Sequence, residues 1–512
     1  MLPGTLHWRI PTNLSACESA QGGADPMKLK RPISVSRVGG RQERKQRACV
    51  VSFLLLITCI GGIRSAQAQE HVVQLHPGQD VNAVVAESPE GSNFRFAPGI
   101  YRMVSIQPKD EDVFFGTGAV LSGAKSLSMR PDGGRWSAFE KLSVATPRHC
   151  EQNHPRCWIP NDLFIDSQPQ QLADSEQDLK AGDWYYDETS QKIVIPTDPD
   201  GHSVELSVTP IAFSGAASRV EIRDLVVEKY ASEAQHGAIG GVNGKATGWK
   251  IYGVEARLNH GVGVAVGAGS RVERCSIHNN GQLGIAGKGE GLEILDNEIA
   301  TNNYAGYAVD WEAGGTKFSK TDNLLVKGNR VHDNFGNGLW TDIDNIHSSI
   351  ENNEIVSNSG EGIRHEISYD ATIRNNIVTG NSLGIVVALS PNTEVSGNFV
   401  DVPSGGKGGI RILDGNRGSG LYGPHIAHDD HVHDNVIQYR SADARSGFVG
   451  DIKTASGILF DHDEFHILAG GEFHWTWGGV FKTMREMQEM GQETHGTSST
   501  DARNINLRPA IR

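Results

Sequence analysis

The chain has 512 residues, with 47 Lys+Arg against 61 Asp+Glu and a formal net charge of −14. Nucleic acids and anionic membranes are bound through basic stripes, so this balance argues against both as partners and leaves carbohydrate open. Charged residues at 21% and hydrophobic residues at 38% describe a soluble globular composition, and the 61 glycines form an excess that a repeat accounts for below.

Residues 1–68 run against the overall charge, with ten Lys/Arg and three Asp/Glu. A basic stretch at 41–47 precedes an apolar run at 49–60 and then Ser65-Ala66-Gln67-Ala68, a small-x-small cleavage pattern. This order predicts a signal peptide cut after Ala68, with Met27 as an alternative start. The apolar run is too short for a stop-transfer helix, so no membrane association is expected after cleavage. Export to the periplasm or beyond implies an oxidising compartment, in which Cys150 and Cys157, close together in one loop, are expected to pair. Cys275 is then left over.

Phe96-Ala-Pro-Gly-Ile-Tyr101-Arg102 reads as part of an N-terminal coil within 69–129. Residues 130–205 break the pattern and read as a small β-rich insertion containing Trp136, Trp158 and Asp183-Trp-Tyr-Tyr-Asp187, with Lys192-Ile-Val-Ile195 as a hairpin strand. Its aromatics are expected in a local core, with a sugar-stacking platform as the alternative. From 206 to 455 a repeat takes over, an aliphatic residue followed three positions later by Asn and then, two further on, another aliphatic residue. Asn297, Asn329, Asn353, Asn376, Asn398 and Asn435 occupy the Asn position, and Leu225, Val254 and Cys275 hold the same frame upstream. The steps are 29, 21, 22, 32, 24, 23, 22 and 37 residues. A period near 22 with β-branched residues at alternate positions predicts one turn of a parallel β-helix, whose coils stack about 4.8 Å apart. Asn suits an inward turn position because its amide can bond the next Asn in the stack and it tolerates left-handed backbone. Thr483-Met-Arg-Glu486 is a capping box that predicts a short helix in a C-terminal cap at 456–494, with Gly491 as its stop; 495–512 reads as a loose tail.

The Asn repeat resembles the right-handed parallel β-helix, pectin-lyase-like superfamily. The resemblance implies a right-handed parallel β-helix, which with the insertion and capping helix read above makes the expected class an all-β solenoid. It does not choose a chemistry, because that superfamily includes lyases, hydrolases and epimerases.

A second repeat places one glycine at each strand start: Gly263, Gly284, Gly306, Gly338, Gly362, Gly384 and Gly409. Counted from it, positions +1, +3 and +5 are expected inward, including Leu339, Thr341, Ile343 and His365. Positions +2, +4 and +6 are expected outward. The +4 positions then stack Asp310, Asp342 and Glu366 in one column, flanked by Glu312 and Asp344 at +6 and by Trp340, Arg364 and Arg411 at +2. Like charges about 5 Å apart repel by roughly 1 kcal/mol or more, so the column reads as a site rather than a solvated face. Adjacent coils match the roughly 5–5.5 Å carboxyl spacing of retaining glycosidases. A two-coil Asp310/Glu366 pair is the inverting alternative. Lys317 is expected in the loop that makes the 32-residue step, and the His-rich stretch 424–433 is read as a loop because it lacks metal-ligand spacing.

Gly338-Leu-Trp-Thr-Asp342 followed by His365-Glu366-Ile-Ser368 resembles the Trp-x-Asp and Glu-(Val/Ile)-Ser pair of a β-helix β-xylosidase family of glycoside hydrolases. That resemblance implies Asp342 as nucleophile and Glu366 as acid/base, with Trp340, Arg364, Asp310, Asp344, Glu312, Lys317 and Arg411 binding substrate and no cofactor. The match departs at Ile343-Asp344-Asn345, so the sugar specificity is not implied. Two alternatives stay open. One is a calcium-dependent lyase or epimerase on uronates, with Asp310, Asp342 and Glu366 holding Ca²⁺ and Arg364, Arg411 or Lys317 abstracting a proton. The other is a non-catalytic carbohydrate-binding protein.

Overall fold

In this computed structural model the described residues are 72–143, 145–453 and 456–505. The expected signal peptide and the last residues of the tail lie outside them. Among the described residues the chain winds through three long sheets, two of thirteen strands and one of twelve. Nearly every neighbour within these sheets is parallel and one coil away in sequence. Ile294 pairs with Val326, Val326 with Ile350, and Ile350 with Ile373. This is a parallel β-helix. Its interior is a column of aliphatic residues with Trp249, Phe318, Phe448 and Trp475. No helix among the described residues is long and apolar enough to cross a membrane.

The turns explain the Asn repeat. Asn297, Asn329, Asn353, Asn376, Asn398 and Asn435 are buried, and each side-chain amide donates to the next Asn Oδ1 along the stack at 2.9–3.0 Å. Each Oδ1 also accepts the backbone N–H of the Asn before it, so both polar ends of a buried amide are paired. A second ladder, Asn259, Asn280, Asn302, Asn334, Asn358 and Asn381, does the same at the next corner. Only the first of these ladders lies in the predicted repeat. Cys275 stands in the first ladder as expected, its N–H bonded to Asn297. The ladder ends on Asp463, which accepts from Asn435, and on Glu493, which faces Asp463. Burial, together with the Asp463 charge, pushes the Glu493 carboxyl well up, and its Oε2 closes the stack by accepting the Asp463 N–H at 3.3 Å.

Both ends of the solenoid are covered. Helix α1 (Val81–Glu87), capped by Asp80, buries Val81 and Val85 in the main core; the sequence analysis did not anticipate it. Helix α2 (Met484–Glu489) has the expected capping box at Thr483 and Glu486 and buries Met487. The expected loose tail is in part a strand. Thr497–Ser499 pairs with Glu464–Ile467 and extends its sheet.

The stretch 130–205 forms antiparallel strands around their own core of Trp184, Tyr186, Ile193 and Leu206, so its aromatics are largely packed inside. Cys150 and Cys157 are disulfide-bonded. A cavity of about 220 Å³ lies where this stretch meets the coils. There His260 bonds Asp162 at 3.0 Å and the Cys157 carbonyl at 2.8 Å, while the Tyr304 hydroxyl donates to Asp162 at 2.6 Å. With its charged and hydroxyl groups satisfied, this is a joint between the two parts.

Replacing Asn353 or Asn358 with Leu strips a carbonyl and a neighbouring amide of their partners. The expected cost is about 3 kcal/mol in urea unfolding.

Candidate active site

The third sheet carries the candidate residues on its outer face. Its strands start on glycine because the next coil leaves no room. A Cβ on Gly338 would meet the Gly362 carbonyl at 2.6 Å and the Asn358 amide at 3.0 Å. The same crowding identifies the glycine of the preceding coil as Gly315, whose Cβ would meet the Gly338 carbonyl at 2.5 Å. Gly306, used for the expected frame, lies instead in a loop between the second Asn ladder and the strand Gly314–Asp322.

That loop corrects the column. Phe318 pairs with Thr341, which sets Lys317 beside Trp340 and Ser319 beside Asp342. Asp310 is exposed on the loop and is not part of the stack, so the two-coil inverting pair falls. Glu312 reaches the site from the loop rather than from a strand, and Lys317 is a strand residue rather than a loop residue. Downstream the register is as expected. Asp342 pairs with Glu366 and Trp340 with Arg364, followed by Ala388 and Val386, and then Arg411 beside Val386.

Outward-facing does not mean solvated here. Lys317, Trp340, Asp342 and Glu366 are all buried. On one side Lys317 Nζ lies 2.8 Å from Asp342 Oδ2, 3.0 Å from the Trp311 carbonyl and 3.5 Å from Glu312. It also sits 3.9 Å from the Trp340 ring centroid, a cation–π contact. On the other side Arg364 bonds Glu366 Oε2 at 2.7 Å and both oxygens of Glu361, while Arg417 reaches Glu366 Oε1 at 3.3 Å. Two buried polar atoms in this cluster have no partner among the described residues: Asp342 Oδ1 and Trp340 Nε1.

The two carboxyls are pushed in opposite directions. Burial raises Asp342 above the usual aspartate range, and Glu366 adds to the rise against the pull of Lys317. Burial also acts on Glu366, but the bond and charge of Arg364, with Arg417 behind it, hold it below the usual range. Register partners stand about 4.8 Å apart. A pair at that distance with divergent proton affinities is the arrangement that acid/base and nucleophilic chemistry requires.

Each strand ends in left-handed backbone. Ile343 and Asp344 have φ of 64° and 55°, and Ile367 has φ of 37°. A β-branched residue is rare there, and such strain costs on the order of 1–3 kcal/mol. It also turns Ile343 away from its expected inward place; the side chain is 37% exposed. Asp344 is held by a hairpin tip, accepting from Leu421 N–H at 3.0 Å and lying 3.2 Å from His425 Nε2. The His-rich stretch therefore reaches the site through His425. His365 is inward as expected. It bonds Thr341 at 2.7 Å, and burial lowers its pKa to about 3, so it stays neutral.

The calcium alternative does not fit these residues. Asp310 is exposed on the loop with no register partner in the pair, and an ammonium and two guanidiniums already lie on three of the four oxygens of Asp342 and Glu366. Elsewhere Asp461, His462 and His495 bring ligand atoms within 4.8 Å of one another. The two imidazoles are stacked, 6° from parallel, and do not aim their nitrogens at one point.

Glu361, Arg417, Trp311 and His425 were missed as site residues. Glu361 carried a faint signal, since it lies three residues before Arg364 at the edge of the same strand. Arg417 and Trp311 come from long loops and carried none.

The family described as a right handed beta helix region matches residues 240–400. Among solved structures, XylC in complex with xylose is similar at 15% identity and a TM-score of 0.54, over 79% of this chain and 76% of that one. The mannuronan C-5 epimerase AlgE6 A-module of Azotobacter vinelandii is similar at 12% identity and a TM-score of 0.42, over 82% of this chain and 93% of that one. A polygalacturonase from Erwinia carotovora is similar at 9% identity and a TM-score of 0.40, over 80% and 95%. Among curated proteins none matches the chain. The family match and the likeness to XylC show the fold, a right-handed parallel β-helix.

Lys317→Met removes the cation at Asp342. The Asp342 titration midpoint, followed by carboxyl ¹³C NMR with Asp342→Asn as the assignment control, is expected to move upward. An unmoved midpoint would mean that Lys317 does not set the charge of this carboxyl.

Proposed function

We propose that this protein is an exported carbohydrate-active enzyme, a retaining glycoside hydrolase whose catalytic pair is Asp342 and Glu366. The observation that carries the reading is the register pairing of these two buried carboxyls on adjacent coils, with their proton affinities pushed apart. A coil spacing of about 4.8 Å suits the short carboxyl separation of retaining enzymes, in which one carboxylate attacks directly. The xylose bound by XylC is compatible with a saccharide as substrate class.

In this reading Asp342 Oδ1, buried and unpartnered, attacks the anomeric carbon, while Lys317 steadies Oδ2. Glu366, ionised beside Arg364 and Arg417, takes up a proton as substrate displaces the exposed Arg417, passes it to the leaving oxygen and later, as carboxylate, activates water. Trp340 and Arg364 line the groove, and Asp344 anchors the hairpin that closes its end. A second reading exchanges the two roles. It is favoured by the double arginine contact on Glu366, which keeps that carboxylate ionised, whereas Asp342 takes up the first proton.

Asp342→Ala and Glu366→Ala are each expected to lose about 10³-fold or more in kcat on a responsive aryl glycoside. Azide restores turnover in both. The variant lacking the nucleophile gives an inverted glycosyl azide and the variant lacking the acid/base a retained one, so the product anomers assign the roles. Full activity in either variant would overturn the pair.

Export rests on the charge and cleavage pattern of 1–68, and the Cys150–Cys157 disulfide suits an oxidising compartment. Mass spectrometry of the exported protein is expected to place its first residue near Gln69. Peptides from 30–60 on the mature chain would refute cleavage there.

A further inference from the structure

Partly buried arginines in this protein have acids beside them, with two exceptions. Among the described residues Arg135, Arg156, Arg223, Arg257, Arg330 and Arg364 each lie 2.7–3.4 Å from a carboxylate oxygen. Arg411 and Arg445 are also half-buried, and no carboxylate of the described residues lies within 4.0 Å of either. They are also neighbours. Arg411 Nε donates to the Arg445 carbonyl at 3.3 Å, and its Nη2 donates to the Lys407 carbonyl. Arg445 donates to the Asp443 carbonyl and has a buried Nε with no partner. Glu361, the acid whose field reaches Arg411, is already held by Arg364 through two bonds.

Their place in the fold matters as much as their charge. Arg411 stands in the same outward column as Trp340 and Arg364, two coils beyond Arg364 through Val386. At about 4.8 Å per coil that is ~10 Å along the outer face of the sheet, across the buried Val386, a span that a neighbouring sugar unit of a saccharide held at Asp342 and Glu366 would cover. The Arg445 guanidinium lies 3.9 Å over the ring of Phe481, and that ring is 56% exposed. Two half-desolvated guanidiniums whose charges act on each other are costly, and backbone carbonyls neutralise them only in part. Burial, with the Arg445 charge adding to it, holds Arg411 below the usual arginine range. A planar oxyanion is the group that two such forks bind best.

We propose that Arg411 and Arg445 form an anion subsite of the groove that takes an acidic sugar unit, its carboxylate on the guanidiniums and its apolar face towards Phe481. The proposal rests on the saccharide-processing reading above and narrows its substrate class to saccharides that carry a uronic acid next to a neutral unit. A sulfate ester would present the same oxyanion chemistry, and the test separates the two.

The test is calorimetric binding to the Asp342→Asn protein, which removes turnover. The probes are a xylo-oligosaccharide, the same oligosaccharide bearing one glucuronic acid, and the same oligosaccharide bearing one sulfate. The uronate form is expected to bind about tenfold more tightly than the neutral form at low salt, and the difference should shrink at 0.5 M NaCl. Arg411→Gln and Arg445→Gln should each abolish most of that preference, with thermal melting confirming that both fold. Preference for the sulfated probe alone would replace the uronate with a sulfated sugar. Equal affinity for all three, or an acid preference that survives both substitutions, would overturn the subsite. Turnover of neutral aryl glycosides by the unaltered protein is scored separately. Turnover without acid preference removes only the subsite, and acid preference without any turnover removes only the hydrolase reading.

Discussion

Everything in this molecule depends on satisfying the amide groups that each coil buries at its corners. A solenoid places turn backbone in its interior, where an unpaired N–H or C=O costs on the order of 1–3 kcal/mol. The two Asn ladders meet that demand by repetition, each amide bonded to the next. Repetition fixes register, and register fixes where every outward side chain stands. Asp342 is beside Glu366 because Asn353 is above Asn376 and Asn358 above Asn381. The carboxyl spacing that allows the proposed chemistry is thus the coil spacing itself.

The site adds to this frame a cluster of charges that is almost balanced and almost buried. Lys317, Arg364 and Arg417 face Asp342, Glu361 and Glu366, with Glu312 at the margin. In such surroundings removing one partner leaves another charge stranded, so the members act as a unit. The loops that cover the cluster are themselves anchored. The Trp311 loop leans on the disulfide-closed segment through Glu151 N–H to the Gly306 carbonyl at 2.9 Å and through Cys150 and Cys157 packed with Tyr307. The hairpin at Leu421 is anchored through Tyr369, whose hydroxyl donates to the Gly423 carbonyl at 2.7 Å. Strain at Ile343 and Ile367, directly after the two carboxyls, is tolerated because the stacked coils hold those turns from both sides.

The sequence by itself determined the solenoid, because the same Asn and aliphatic spacing recurs coil after coil and only stacking buries it. It also determined the Asp342/Glu366 pairing, since the 24-residue step from one to the other is one regular coil with no extra loop. It failed where a loop interrupts the count. Residues 303–313 shifted the frame in one coil and put Asp310 where Ser319 stands, because a glycine in a loop is indistinguishable in sequence from a glycine at a strand start. Only the tertiary structure decided which way each proton affinity moves. That depends on Lys317, Glu361, Arg364 and Arg417 converging from separate coils and a loop, and on two loops closing over an outward face. Charge acts through space and burial, and neither is carried by the local pattern of residues that fixes a repeat.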